Sequence, residues 1–181
     1  LLPGKGWGQS ATATWALTSN KSASITGSIT ATDASCTVTQ YYLNTTYGYA
    51  CGTWAPGALD ISKYYQVTVS PVSGNEFQVT EFKMTTSKIY AGLDAIVYYS
   101  LDGFATSTPW NTTPISITTN PTWQTTTYST PSISVPNGAT LSVRIYFYND
   151  GSTGSYSCLK EVKISGTTSS PSPKLTLGEP T

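Results

Sequence analysis

The sequence predicts an all-β domain, a two-sheet antiparallel β-sandwich of jelly-roll type. Pro, Gly, Asn and Asp interrupt the chain roughly every ten residues, a pattern that indicates many short strands joined by turns. Serine and threonine make up 56 of the 181 residues, and the branched side chain of threonine suits a pleated strand. No segment has the apolar spacing of an amphipathic helix, so we expect no long helices.

Alternating side chains define the faces of several predicted strands. In residues 141–148 the odd positions are apolar and the even ones polar or aromatic, and residues 65–69 follow the same rule. Two sheets packed on such apolar faces give a sandwich. The Gly- and aromatic-rich segment 44–60 is predicted to be a long loop. The predicted strands cover 11–18, 22–32, 34–43, 61–70, 76–86, 94–101, 114–119, 124–129, 139–149 and 157–165.

Two predicted strands break their own alternation. In residues 76–86 the apolar phase shifts by one position halfway along, which predicts a β-bulge near Thr80–Glu81. In residues 157–165 the apolar phase would turn Lys160 towards the core. We expect a second bulge there, or a strand that begins later.

Residues 1–166 are predicted to form the β-sandwich module. Residues 167–181 are predicted to be a Ser/Pro-rich linker and the stub of a following domain, because the chain reads GTTSSPSP at 166–173. The sequence shows neither a signal peptide nor a transmembrane run. We therefore expect a module of a larger protein whose targeting signal lies elsewhere.

Charge and composition argue against several classes of function. The chain has nine basic and nine acidic residues, with Arg144 as its single arginine, so no basic surface for nucleic acid or acidic membranes is expected. Histidine, the commonest general base and metal ligand, is absent. The carboxylates fall mostly at turns and none lies among the tryptophans, so the paired carboxylates of a glycosidase are not expected. We predict a non-catalytic protein.

The three cysteines are Cys36, Cys51 and Cys158. None lies in a C-x-x-C pair of the kind that binds zinc. Cys36 and Cys51 flank a tyrosine-rich stretch, and their spacing allows either a disulfide across a hairpin or loop or two reduced thiols. Cys158 is predicted to be a small, buried apolar residue.

The remaining polar and aromatic residues favour a surface that binds sugars. The C–H faces of a pyranose stack on Trp and Tyr rings, while its hydroxyls hydrogen-bond Asn, Gln, Arg and carboxylates. The polar face of strand 141–148 offers such a mixture, and neighbouring strands extend it if they lie alongside. The candidates on this face are Arg144, Tyr146, Tyr148, Tyr64, Gln66 and Tyr99. The alternative is that these tyrosines simply cover an outer sheet, with their hydroxyls in water.

Aromatic residues in loops form a second set of candidates. Rings between Gly, Pro, Asn and Thr are less often core residues than rings on strands, and exposed rings mark binding surfaces. The candidates in the loops are Tyr47, Tyr49, Trp54, Trp110 and, more weakly, Trp123. The alternative is that these rings pin their loops onto the sandwich.

Two stretches of the chain carry a resemblance to a known group of proteins. Residues 97–104 read VYYSLDGF, and LSVRIYFY at 141–148 precedes CLKEVKISG at 158–166. Together they resemble the ancillary β-sandwich domains of secreted bacterial polysaccharide-degrading enzymes of the Bacteroidetes type, over roughly 11–166 as scattered motifs. The resemblance implies a jelly-roll module beside a covalently linked catalytic domain, sometimes with a structural calcium.

The same resemblance points to the last strand for the calcium ligand, where Glu161 is the best candidate. Carboxylate oxygens are ligands that calcium prefers. The alternative is a surface glutamate flanked by Lys160 and Lys163, with no role in metal binding.

These observations predict a secreted, monomeric carbohydrate-binding module that holds an attached glycan-degrading enzyme on plant or algal polysaccharide. The alternative is a structural spacer or cell-surface interaction module without a sugar site. That alternative requires packed rings at Trp54, Trp110, Tyr146 and Tyr148. An autonomous glycan-active enzyme would need two carboxylates in one cleft.

Overall fold

The computed structural model describes residues 8–90, 92–119, 122–148 and 155–170. Within these ranges the chain forms fourteen β-strands and no helix. The described part of the chain thus contains no helix able to cross a membrane. The strands are β1 (Gln9–Ala16), β2 (Ala23–Thr26), β3 (Ile29–Ala31), β4 (Ser35–Cys36), β5 (Thr39–Asn44), β6 (Gly48–Gly52), β7 (Tyr65–Pro71), β8 (Glu76–Ile89), β9 (Asp94–Ser100), β10 (Thr108–Pro109), β11 (Ile115–Ser116), β12 (Gln124–Val135), β13 (Leu141–Tyr148) and β14 (Tyr156–Ser169).

The strands form two antiparallel sheets that pack face to face. The β14 sheet has the order β12-β8-β14-β1-β2, with β6 also pairing with β14 and β5 pairing with β6. The β13 sheet has the order β10-β9-β13-β7-β3, with β11 pairing with β9 and β4 with β7. This architecture confirms the predicted all-β sandwich.

The strand pairs are nested along the chain. β1 pairs with β14, β7 with β13, β8 with β12, and β9 with β10 and β11. Each pair lies inside the previous one in sequence, so the chain is a long hairpin that has been rolled up across two sheets. Because β14 also pairs with β8 and β13 with β9, the roll is closed into the jelly-roll arrangement.

The core lies between the sheets and consists of the apolar faces of the long strands. Burying these faces removes apolar surface from water, which is the main driving force for folding. The indole Nε1 of Trp15, a polar group within the core, donates a hydrogen bond to the carbonyl oxygen of Thr32 at 2.8 Å. The largest fully buried side chains are Trp15, Tyr49, Tyr65, Phe77, Phe82, Phe147, Leu17 and Met84.

Both predicted bulges are present. The consecutive β14 residues Ser165 and Gly166 pair with Glu81 and Val79 of β8. Thr80 is therefore an extra residue in β8, which confirms the predicted bulge. In β14 the register shifts between Leu159 and Glu161, so Lys160 is an extra residue. Its side chain therefore does not have to face the core. Its ammonium Nζ lies 5.1 Å from the centre of the Trp123 ring.

Several predicted boundaries are wrong. The single strand expected at 34–43 is two strands, β4 in the β13 sheet and β5 in the β14 sheet. The single strand expected at 22–32 is divided by Gly27, whose φ of 76° turns the chain from β2 in one sheet to β3 in the other. The loop expected at 44–60 contains β6, which is buried throughout. The strand β14 continues to Ser169, so residues 167–169 belong to the sandwich and not to the predicted linker at 167–181. Residues 171–181 lie outside the described residues.

All three cysteines are free thiols. Cys36 lies on β4 in the β13 sheet, and Cys51 lies on β6 in the β14 sheet. Their side chains are nevertheless in hydrogen-bonding contact across the core, and burial raises the pKa of the Cys36 thiol far above its usual range. Cys158 is fully buried, as predicted, but it lies on the opposite side of β14 from the core residues Val162 and Ile164 because of the bulge at Lys160.

Candidate functional site

The outer face of the β13 sheet carries a mixed polar and aromatic surface. Along β13, Leu141, Val143, Ile145 and Phe147 are at most 1% exposed and face the core, as their alternation predicts. Arg144, Tyr146 and Tyr148 therefore point to the other side of the sheet. Gln66 of β7 and Tyr98 of β9 lie directly opposite Arg144 in the register and extend this outer face.

Arg144 is held by contacts on three sides. Its Nε donates a hydrogen bond to Oε1 of Gln66 at 2.7 Å. The guanidinium carbon lies 3.8 Å from the ring centre of Tyr64 and 3.9 Å from that of Phe104. A planar guanidinium stacks on aromatic faces in this way while keeping its hydrogen-bonding edge available.

Phe104 reaches Arg144 through a strained loop that follows β9. Its φ of 70° lies in the left-handed region, which is unfavourable for a bulky residue. Asp102 fixes the loop by accepting hydrogen bonds from the hydroxyls of Ser100 at 2.7 Å and Thr106 at 2.6 Å. These hydrogen bonds, with one from the backbone N–H of Thr106, lower the pKa of Asp102 to about 2.

A small pocket opens beside this stack. It has a volume of about 130 Å³ and is lined by Tyr146, Tyr98, Leu59, Ile61 and Ser107. The rings of Tyr146 and Tyr98 meet edge to face with their centres 5.7 Å apart. The pocket thus combines an aromatic floor with the apolar side chain of Ile61, which is 73% exposed.

Tyr146 and Tyr148 keep their hydroxyl protons at neutral pH, because their surroundings raise both pKa values. Burial raises the pKa of Tyr146, and a hydrogen bond with Arg144 partly opposes that rise. Burial also raises the pKa of Tyr148, and the nearby carboxylate of Asp94 adds to the effect. Both hydroxyls can therefore donate as well as accept hydrogen bonds.

Two predicted loop candidates are core residues. Trp54 is 3% exposed, its ring packs on Tyr65 and Phe147, and its Nε1 donates to the carbonyl oxygen of Cys51. Tyr49 is 2% exposed, on the buried strand β6. The expectation that these two rings are exposed is wrong, because the glycines around them allow their backbone to enter the sandwich.

Two further candidates lie on the core side of the β13 sheet. Tyr99 is opposite Val143 in the register, so it faces inward and packs on Trp110 with ring centres 5.2 Å apart. Trp110 reaches across to Phe82 of the β14 sheet, 4.9 Å away. Both rings are half-buried and close one edge of the sandwich, so neither belongs to the outer face on which we expected Tyr99.

The last predicted aromatic positions are divided between the two sheets. Tyr146 faces outward as expected but is only 4% exposed, and Tyr148 is half-buried at the end of the same strand. Tyr47 belongs to the β14 sheet instead, where it lies between β5 and β6. Its ring is 4.9 Å from that of Tyr42.

Sequence reasoning missed Tyr98 and Phe104. The signal for Tyr98 was present, since Val97 is an inward residue and its neighbour must then face outward. Phe104 had no such signal, because its position depends on a positive φ and on the fold of a loop.

The surroundings of Glu161 do not fit the calcium site that the resemblance implied. Its carboxylate is paired with the ammonium of Lys83 at 2.7 Å, so a cation already neutralises it. Among the described residues, no group of three or more His, Cys, Asp or Glu side chains is placed to hold a metal ion.

Comparison with known proteins gives weak likenesses to solved β-structures. No protein-family model matches the chain, and no curated protein matches it. A family two carbohydrate esterase from Cellvibrio japonicus shares 15% identity with a TM-score of 0.43, over 93% of this chain and 38% of that one. This chain therefore spans well under half of the esterase's length.

Two other solved structures align at similar levels. A CBM4 structure shares 16% identity with a TM-score of 0.39, over 67% of this chain and 85% of that one. A structure of the infectious bursal disease virus Gt strain shares 11% identity with a TM-score of 0.41, over 77% of this chain and 35% of that one. At these identities and TM-scores, the likenesses identify no ligand for this chain.

Proposed function

We propose that this chain is a non-catalytic carbohydrate-binding module that takes a glycan at the pocket of Tyr98 and Tyr146. The observation that supports it is the position of an aromatic pocket directly beside the hydrogen-bonded pair of Arg144 and Gln66. Sugar rings need this combination, because their C–H faces stack on aromatic rings while their hydroxyls need planar donors and acceptors.

The size of the pocket limits the ligand. Its volume of about 130 Å³ is smaller than that of pockets for whole small molecules, about 300–1,000 Å³. One sugar ring of a glycan would enter it, next to Ile61 and Ser107, and the rest of the chain would lie across the sheet. The single arginine is stacked between two rings, so the site favours hydroxyl groups over a cluster of negative charges.

A module of this kind would act outside the cell, attached to a glycan-degrading enzyme. Modest binding by the module gains strength from its covalent link, because the second binding event is then intramolecular. The lack of histidine and the hydrogen bonds that engage the carboxylate of Asp102 support a role in binding and not in catalysis.

Affinity electrophoresis in gels that contain xylan, β-glucan, mannan or pectin tests the proposal. We expect retardation of the wild-type chain by at least one of them, and reduced retardation of Ile61→Ala and Tyr98→Ala. Ile25→Ala is the matched control, because Ile25 is exposed on β2 of the other sheet.

A structural spacer is the second candidate, and the burial of Trp54 and Tyr146 favours it, since little of either ring is exposed for a sugar to stack on. A correctly folded wild-type chain that none of these polysaccharides retards would support the spacer and rule out the binding module.

A further inference from the structure

Five tyrosines form a surface cluster on the β14 sheet, opposite the pocket. Tyr156 of β14 lies at the centre, with its ring 4.3 Å from Tyr41, 6.3 Å from Tyr42 and 6.1 Å from Tyr90. Tyr47 extends the group through Tyr42, at 4.9 Å. We call these residues the tyrosine cluster: Tyr41, Tyr42, Tyr47, Tyr90 and Tyr156.

A β-bulge brings two consecutive tyrosines into this cluster. Successive side chains of a regular strand point to opposite faces, so Tyr41 and Tyr42 of β5 would normally separate. The register of β5 against β6 shifts between Gln40 and Tyr42, which makes Tyr41 the extra residue. Both rings can then contact Tyr156, although they are neighbours in the chain.

Gly52 lets the rings lie directly on the backbone of β6. A Cβ atom at this position would come within 2.4 Å of Cδ1 of Tyr156 and 3.0 Å of Cε2 of Tyr41. Because glycine has no Cβ, the rings of Tyr156 and Tyr41 can lie directly on the backbone of β6 at this position.

Tyr90 contributes a third unusual feature. Its φ is 73°, a left-handed conformation that is costly for a residue with a large side chain. Tyr90 is nevertheless 63% exposed, so burial of its ring does not compensate the strain. Tyr41 and Tyr42 are 43% and 40% exposed as well, although single exposed apolar rings are commonly scattered over a surface and not gathered.

The chemistry of the cluster points to one class of ligand. Tyrosine side chains are uncharged at neutral pH and offer a flat apolar face with a hydroxyl at the rim. A charged ligand would find no opposite charge on these five side chains. A neutral chain of sugar rings matches both the apolar faces and the hydroxyls.

We propose that the tyrosine cluster is a second carbohydrate site, which binds an internal stretch of a neutral polysaccharide chain. This inference rests on the proposed function for the class of ligand, but it uses different residues on the other sheet. The pocket of Tyr98 and Tyr146 accepts a single ring, whereas the cluster presents several rings around Tyr156, inclined to its plane by 46° to 86°. Two sites on opposite faces would bind one long polysaccharide, or two chains, with a gain from avidity.

The test uses two double variants of the full chain. Tyr42→Ala with Tyr90→Ala removes exposed rings of the cluster, and Ile61→Ala with Tyr98→Ala alters the pocket. Val72→Ala is the control, because Val72 is 41% exposed and belongs to neither site. The probes are β-1,4-linked gluco-, xylo- and manno-oligosaccharides and the corresponding soluble polysaccharides, with binding measured by calorimetry and folding by thermal unfolding.

We expect the cluster variant to bind its polysaccharide about tenfold more weakly than wild type, with an unchanged melting temperature, because exposed aromatic anchors contribute strongly to binding. Unchanged binding by the cluster variant, together with loss in the pocket variant, would overturn the second site and leave the proposed function standing. Loss of binding in the cluster variant alone would support the second site and would contradict the pocket as a carbohydrate site. A wild-type chain that binds no probe would overturn both.

The competing occupant is a second copy of this chain. Sedimentation of the wild type and of the cluster variant distinguishes it. A wild-type dimer that the two tyrosine substitutions convert to a monomer would overturn the proposal. If the wild type and the cluster variant are both monomeric, the result supports it.

Discussion

The guanidinium carbon of Arg144 lies 3.8 Å from the centre of the Tyr64 ring. Arg144 lies on β13, and Tyr64 immediately precedes β7, the strand that pairs with β13. Phe104 covers the other face of the guanidinium at 3.9 Å. The stack joins the sheet to the loop after β9, so it fixes the rim of the candidate pocket.

Arg144→Lys tests the stack. An ammonium keeps the charge but loses the planar faces and the Nε hydrogen bond to Gln66, so we expect a loss of about 1–2 kcal/mol in the free energy of unfolding and weaker glycan binding. Chemical denaturation and calorimetry measure these effects. A variant with wild-type stability and binding would show that only the charge of Arg144 matters.

The loop after β9 depends on the charge of Asp102. Hydrogen bonds lower the pKa of this carboxyl from 3.8 to about 2 in the folded chain. The ionised form therefore stabilises the fold at pH values above about 4, and this contribution is lost as the pH falls through the folded pKa near 2.

We expect the stability difference between wild type and Asp102→Asn to be largest above pH 4 and to shrink towards pH 2. Denaturant unfolding at several pH values measures that difference. A constant difference across the range would contradict the assignment of these hydrogen bonds to the ionised carboxylate.

Replacing tyrosine by phenylalanine at two positions with buried hydroxyls is expected to change the free energy of unfolding in different ways. The hydroxyl of Tyr65 lies 2.9 Å from the carbonyl oxygen of Tyr49 and 3.1 Å from that of Ser157. The hydroxyl of Tyr128 is buried and, among the described residues, has no hydrogen-bond partner, and its burial raises the pKa of Tyr128 to about 12.

We expect Tyr65→Phe to lower the free energy of unfolding by about 1–2 kcal/mol, because two carbonyl acceptors lose their donor. Tyr128→Phe is expected to be neutral or to stabilise by up to about 1 kcal/mol, since no bond is lost and a polar group is removed from the interior. Thermal and denaturant unfolding compare the two. Equal losses in both variants would contradict the hydrogen-bonding difference.

Gly166 and Gly57 form a second matched pair. A Cβ at Gly166 would come 2.0 Å from the backbone oxygen of Gln78, next to the bulge at Thr80, whereas a Cβ at Gly57 has nothing within 4 Å. We expect Gly166→Ala to destabilise the fold by about 3 kcal/mol and Gly57→Ala to have no such effect. A stable Gly166→Ala variant would show that β8 and β14 can separate at the bulge without cost.

The sequence predicted most of the sandwich because the signal was local. The alternation in residues 141–148 gave the correct phase for β13, and the broken alternation in 76–86 gave the bulge at Thr80. Strand β6 was missed because its aromatic and glycine-rich composition is typical of a loop. Its burial depends on glycines such as Gly48, where a Cβ would come 2.3 Å from the backbone oxygen of Leu159.

The candidate site was predicted only in part for the same physical reason. Arg144 and Gln66 follow from strand alternation once β13 pairs with β7. Trp54 was misplaced because an aromatic residue in a Gly-rich segment carries no sign of where the segment lies. Phe104 and the tyrosine cluster depend on positive φ values and a bulge, which arise from tertiary contacts.

The most direct test of the central claim is an NMR titration of the labelled chain with the glycan that retards it most. Arg144 is the single arginine of the chain, so its Nε–H gives one side-chain signal of its own type. We predict that this signal and the ring signals of Tyr98 and Tyr146 shift as the glycan saturates the protein. A glycan that binds while these signals stay unmoved would contradict the pocket as the carbohydrate site.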